Sequence, residues 1–231
     1  MILVATLCLS AMSRSEVSPA RKNTLVLIDN AAFYTTHSQF FKLLSDIGHK
    51  VTIEQASVNA IANNHIKLEE DKEMIYDNIV FMASSLAELP ETKTFDLTRF
   101  FEKGGNIFFM LDNDVSPFFR EYFKKFGFGV DKSGSYLVDY EKALNPAKPQ
   151  IFEIDNFRDI PMFVEGVTGP LVYSGLGLET TIFENSQINV FARGNMNTAS
   201  VVYMTNGKRY TSTMSKNNLM ILGIQVCLCL I

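Results

Sequence analysis

Four acidic or amide residues stand where an α/β chain usually places its chemistry. Asp29 and Asn30 close the apolar run "TLVLIDN", and Asp112 and Asp114 follow the apolar run "NIFFML". A carboxylate at the end of a buried strand can serve as a general base, orient a nucleophile or bind a cation. With His37 as a proton carrier, Asp29 and the Asp112/Asp114 loop make up the catalytic reading, a small hydrolase. That reading requires the fold to bring the three together, because no Ser-His-Asp or Cys-His spacing appears around His37, His49 or His65.

The surrounding residues argue against it. The turn after Asp29, "NAAFYTT", contains no glycine, so its backbone offers no close cradle for a pyrophosphate. Asp29 reads instead as a loop organiser, its side chain bonding to nearby backbone. In "LDNDVSP" there is no cysteine and no small-x-nucleophile-x-small pattern of a strained strand-to-helix elbow. Ser116 before Pro117 reads as a helix cap. Two carboxylates on one loop are a weak cation signal, and the turn reads as solvated. The expectation is therefore no catalytic residue, no metal ligand set and no cofactor.

These residues are positioned by an alternation of strands and helices. Residues 24–29 form a continuous apolar run, the pattern of a strand buried on both faces. Thr36 and Gln39 have the spacing of a capping box. Phe40, Leu43, Leu44 and Ile47 recur at helical intervals, and Gly48 stops that helix as a C′ residue. "KVTIEQ" then alternates as a strand, completing a β-α-β unit of the kind that builds parallel sheets. "NIVFMA", the helix "FDLTRFFEKGG" and "NIFFML" repeat the scheme. The last helix carries Phe119, Tyr122, Phe123 and Phe126, with Gly127 closing it. Such alternation predicts a doubly wound, mainly parallel α/β sheet.

Past residue 131 the texture changes to short β-rich runs: "YLVDYE", "QIFEID", "MFVEGV", "LVYSGLGL", "INVFA" and "SVVYMT". The proline-rich "ALNPAKPQ" reads as a linker. The division expected is an α/β domain over 22–142 and a β-rich region over 150–231. "KLEEDKE" reads as a solvated face, and "NGKR" as a hairpin tip.

Hydrophobic residues are 47% of the 231 and charged residues 20%, which favours a packed core over disorder. The 19 Phe fall mostly in apolar periodic segments and read as core filling. No basic run exceeds two residues and the formal charge is −4, so the electrostatic footprint for nucleic acid is missing. Residues 1–15 read as a secretory signal peptide, with an apolar block from Ile2 to Ala11 but no basic n-region. The apolar tail Leu219–Ile231 is too short to span a bilayer and reads as a buried strand or a truncated end. Cys227 and Cys229 there read as small buried hydrophobes. No N-x-S/T acceptor sequence occurs in the chain.

The blocks "LVLIDN…THSQFFKLLSDIGHKVT", "IYDNIVFMASS" and "FFEKGGNIFFML", followed by "GPLVYSGLGL" and "SKNNLMILGIQV", stand in the order and spacing of one family. Over roughly residues 24–226 the chain resembles the 48 kDa subunits of oligosaccharyltransferase. The resemblance implies an amidotransferase-like (flavodoxin-like) α/β domain followed by β-rich lumenal structure. It implies a non-catalytic subunit on the lumenal side of the endoplasmic reticulum membrane, in a complex that moves a glycan from dolichyl diphosphate to asparagine. The partners implied are a catalytic multi-spanning subunit, ribophorin-type subunits and small membrane subunits. Family members continue past "GIQV" to an anchor helix. This chain ends in "CLCLI", so membrane association is expected of the full-length form and the anchor is absent here. A lumenal glycan-binding module is the remaining alternative and needs an exposed aromatic platform.

Overall fold

A computed structural model describes residues 3–7, 23–90, 92–125, 128–155, 170–180, 188–194, 197–203, 209–211 and 219–224. The chain forms two compact units, one mainly Thr6–Met110 and the other mainly Leu111–Gly223. At the N-terminus the backbone is extended over Leu3–Leu7 (β1).

The first unit is the parallel layer. Its elements are β2 (Asn23–Ile28), α1 (Phe33–Thr36), α2 (Ser38–Asp46), β3 (Lys50–Gln55), α3 (Val58–Ala62), β4 (Glu69–Glu70), β5 (Glu73–Met74), β6 (Asn78–Met82), α4 (Leu97–Glu102) and β7 (Asn106–Leu111). Four strands lie in the order β3-β2-β6-β7, all parallel. Leu25 to Ile28 are fully buried, as the unbroken apolar run demands, and Phe81 stacks on Phe109 with centroids 5.0 Å apart.

Local signals at the helix ends largely hold. Gly48 has φ +93, and its N–H and that of His49 reach back to Ser45 and Leu44, the paired bonds of a Schellman turn. Gly104, at φ +87, ends α4 in the same way, with Gly104 and Gly105 bonding to Phe101 and Phe100. Asp96 caps the start of α4 by accepting from the Arg99 N–H at 3.0 Å.

The capping box does not form. His37, not Thr36, is the N-cap of α2, and the Thr36 hydroxyl donates to the Ala32 carbonyl inside the preceding turn. The helical stripe is also rotated. Phe41 is the buried residue of α2, while Leu43 and Ile47 are 56% and 57% exposed. "KLEEDKE" is more than a charged face. It folds into the β4–β5 hairpin, with Asp71 and Lys72 both at positive φ in the two-residue turn.

The second unit holds α5 (Pro117–Lys124), β8 (Phe128–Val130), β9 (Ser135–Val138), β10 (Phe152–Ile154), β11 (Leu171–Tyr173), β12 (Leu178–Thr180), β13 (Ile188–Arg193), β14 (Ala199–Tyr203), β15 (Arg209–Thr211) and β16 (Leu219–Ile224). Ser116 caps α5 and Pro117 opens it, as the sequence indicates. Phe119 and Phe123 are its buried face, and Phe126 and Gly127 lie outside the described residues. Beyond α5 the described residues contain strands and no further helix. Strand β12 pairs antiparallel with both β8 and β16, β14 with β9 and β15, and β10 with β11. Residues 143–150 are a bonded loop joining β9 to β10: Leu144 N–H donates to Ile151, and the Asp139 N–H donates to Pro149. The tip of the β14–β15 hairpin, the run "MFVEGV" and Cys8, Cys227 and Cys229 lie outside the described residues. Among the described residues, no helix is long and apolar enough to cross a membrane.

Candidate functional site

At the end of β2 the chain must leave the sheet, and two side chains organise the exit. Asn30 Oδ1 accepts from the Ala32 N–H at 2.9 Å, an Asx turn that folds "AAFYT" straight into α1. Asp29, half-buried, turns toward the end of β6. One of its oxygens accepts from the Ser85 N–H at 2.9 Å and from the Ser85 hydroxyl at 2.6 Å. The carboxylate expected to organise a loop does so, and the loop belongs to the neighbouring strand.

His37 is in the same unit but engages other partners. Its Nδ1 is 2.8 Å from the Thr36 hydroxyl, and its ring meets Phe33 edge-on at 4.9 Å. Burial lowers its pKa, favouring the neutral imidazole. His49 sits at the other end of the strands, with Nδ1 2.8 Å from the Thr24 hydroxyl. His65 is exposed beside α3.

The loop after β7 is also committed. Asp112 accepts from its neighbour's N–H, Asn113, at 2.7 Å. Asp114 accepts from the Ser133 hydroxyl, and the Asn113 carbonyl accepts from the Gly134 N–H at 3.2 Å. Ser116 is spent on its cap, 3.4 Å from the Phe119 N–H. Among the described residues, no group of three or more His, Cys, Asp and Glu side chains stands together as a metal site needs.

Several buried polar groups escape the sequence reading. Asp139, wholly buried, accepts from the Glu141 and Lys142 N–H groups and from the Thr198 hydroxyl at 3.1 Å. Asp131 is 1% exposed beside Arg120 of α5. Burial pushes the Asp131 carboxyl up, and burial lowers Arg120 from its ordinary value. A third feature is a polar ladder at the start of the parallel strands. The Asn106 side chain donates to Asn78 at 2.9 Å, and Asn78 donates to Thr24 at 3.1 Å. The repeat of Asn before "IVFM" and "IFFM" is the signal that could have found it, since Asn78 and Asn106 are register partners. Nothing in the sequence around Asp131 marks its partner.

Residues 15–227 match the family described as "OST48, N-terminal domain". The chain is 32% identical over 119 residues to the Drosophila melanogaster dolichyl-diphosphooligosaccharide–protein glycosyltransferase 48 kDa subunit, covering 51% of this chain and 25% of that protein. It is 24% identical over 208 residues to the Danio rerio protein of the same name, covering 87% of this chain and 46% of the relative. The Caenorhabditis elegans counterpart is 23% identical over 164 residues, 67% and 35% of the two chains. This chain thus spans less than half the length of each of these relatives.

Proposed function

The chain belongs to the OST48 N-terminal domain family, and on that premise we propose that it is a non-catalytic structural subunit of the oligosaccharyltransferase complex. Its role is assembly and stability of the machinery that transfers a lipid-linked oligosaccharide to asparagine. It acts on the lumenal side of the endoplasmic reticulum membrane, and residues 1–15 direct it there as a signal peptide. Its partners are the catalytic multi-spanning subunit, ribophorin-type subunits and small membrane subunits.

The observation that carries the proposal is the family match across 15–227. Supporting it, the strand-end carboxylates are used in structure: Asp29 holds Ser85, and Asp114 holds Ser133. A turn without glycine also leaves the β2 end without a phosphate cradle.

The test is co-purification. The tagged chain, and a version extended to the length of its relatives, are recovered from detergent-solubilised microsomes and their companions identified by mass spectrometry. Recovery of the catalytic and ribophorin-type subunits with the extended version is expected. Its recovery without any of them removes the proposal. Depletion of the gene product should in parallel leave reporter glycoproteins under-glycosylated.

A further inference from the structure

Two segments of the second unit are bound to one another across a single side chain. The turn after β8 reaches the loop after β7 through Gly134 N–H to the Asn113 carbonyl, 3.2 Å, and through the Ser133 hydroxyl to the Asp114 carboxylate. Gly134 sits at φ +74, a conformation that glycine adopts without strain, and the turn is shaped around it. Beneath both, Arg120 donates from Nε to the Val115 carbonyl at 3.0 Å and from Nη1 to the Val130 carbonyl at 3.1 Å and to that of Asp131. Arg120 Nη2 and Asp131 Oδ2 are both shielded from solvent and make no hydrogen bond among the described residues. The other Asp131 oxygen accepts from the Lys132 N–H at 2.7 Å.

We propose that Asp131–Ser135 is a strap closed over the strand-end loop Asp112–Val115, latched by Arg120, and that the latch loosens when Asp131 carries its charge. A buried carboxylate with one oxygen unsatisfied is costly, and opening the turn returns it to water. The charged groups facing this latch are Arg120 from α5, Lys132 in the turn and Asp114 in the β7 loop. Arg120, Lys132 and the Ser135 hydroxyl favour the ionised form of Asp131, and burial outweighs them. Closure therefore binds the proton more tightly than opening does. Across the pH window between the two pKa values, each unit of separation favours the open turn about tenfold as pH rises. The inference concerns access to one loop and stands apart from membership of a complex.

Amide hydrogen exchange of the full chain tests it, read by mass spectrometry from about pD 3.5 to 8, so that the scan begins at the ordinary carboxyl range, and corrected for the intrinsic pH dependence of exchange. Peptides covering 132–135 and 113–115 should lose protection together as pH rises, about tenfold per unit of pKa separation. Peptides from β2 should not change. In Asp131→Asn the pH dependence should vanish. In Ser133→Ala protection should fall by a similar factor at every pH, with the slope retained. A flat profile in the unmodified chain, or a slope that survives in Asp131→Asn, overturns the proposal.

Discussion

Asp29 and Ser85 are separated by a complete β-α-β passage of chain, yet one carboxylate oxygen of Asp29 binds both the N–H and the hydroxyl of Ser85, at 2.9 and 2.6 Å. A residue in the position of a general base is thereby a tie between adjacent strand ends. Asp29→Ala should destabilise the chain by about 1–2 kcal/mol, and Ser85→Ala, which spares the N–H bond, by about 0.5–1.5 kcal/mol. The double variant should cost less than the sum, because the two singles remove a shared interaction. Urea unfolding followed by circular dichroism reads all three, and strict additivity would show that the bond contributes nothing.

Gly105 is held by sterics. A Cβ there would lie 2.2 Å from the ring of Phe100, itself 3% exposed. Gly105→Ala should cost about 1–3 kcal/mol through forced movement of that ring. Gly129→Ala meets nothing within 4 Å and should be near neutral. Equal melting temperatures for the two variants would contradict the close packing of α4 against the start of β7.

Glu69 receives two cations, Arg99 of α4 and Lys103 at the C-cap of that helix, each at 2.8 Å, and Lys103 also donates to the Lys72 carbonyl at 2.7 Å. This triad pins the β4–β5 hairpin to the helix. Because Arg99 is 44% exposed, the expected cost of Glu69→Gln is only about 0.5–1 kcal/mol at low salt, shrinking toward 1 M salt. Unfolding midpoints at two ionic strengths measure it, and a salt-independent loss would indicate packing instead of charge.

Asp131 should leave a mark on global stability as well. Its pKa in the folded chain is raised, so between the unfolded and folded values the folded state holds more protons than the unfolded state. Stability from this group is therefore fully present below the unfolded pKa, falls as pH rises through the window, and is level above the folded pKa. Urea midpoints of Asp131→Asn should lack this decline between pH 4 and 8, while other groups contribute equally to both curves. A difference between the two proteins that grows more unfavourable to the native chain toward acid pH would reverse the assignment.

Much of the parallel layer is readable in the chain because its signals are local. Continuous apolar runs identify β2, β6 and β7. Gly48 and Gly104 end helices because the αL position costs a glycine little, and Ser116-Pro117 opens α5 because both residues suit a helix start. Thr36 and Gln39 carry an equally local pattern that fails. Asn30 nucleates a turn upstream, which takes the Thr36 hydroxyl for the Ala32 carbonyl before it can cap α2. The α2 stripe misleads in another way: Phe40 and Phe41 are neighbours, and it is Phe41 that the fold buries.

The sequence by itself determined the alternation of elements, the positions of the strand ends and the lack of a glycine cradle or nucleophile elbow, because each depends on residues close together in the chain. Only the tertiary structure decided what the polar side chains at those ends are for. Asp29 finds Ser85, Asp114 finds Ser133, and Arg120 finds the carbonyls of Val115, Val130 and Asp131. The more distant of these partners are chosen by strand order and loop approach, and a buried polar atom must bond to whatever the fold sets beside it.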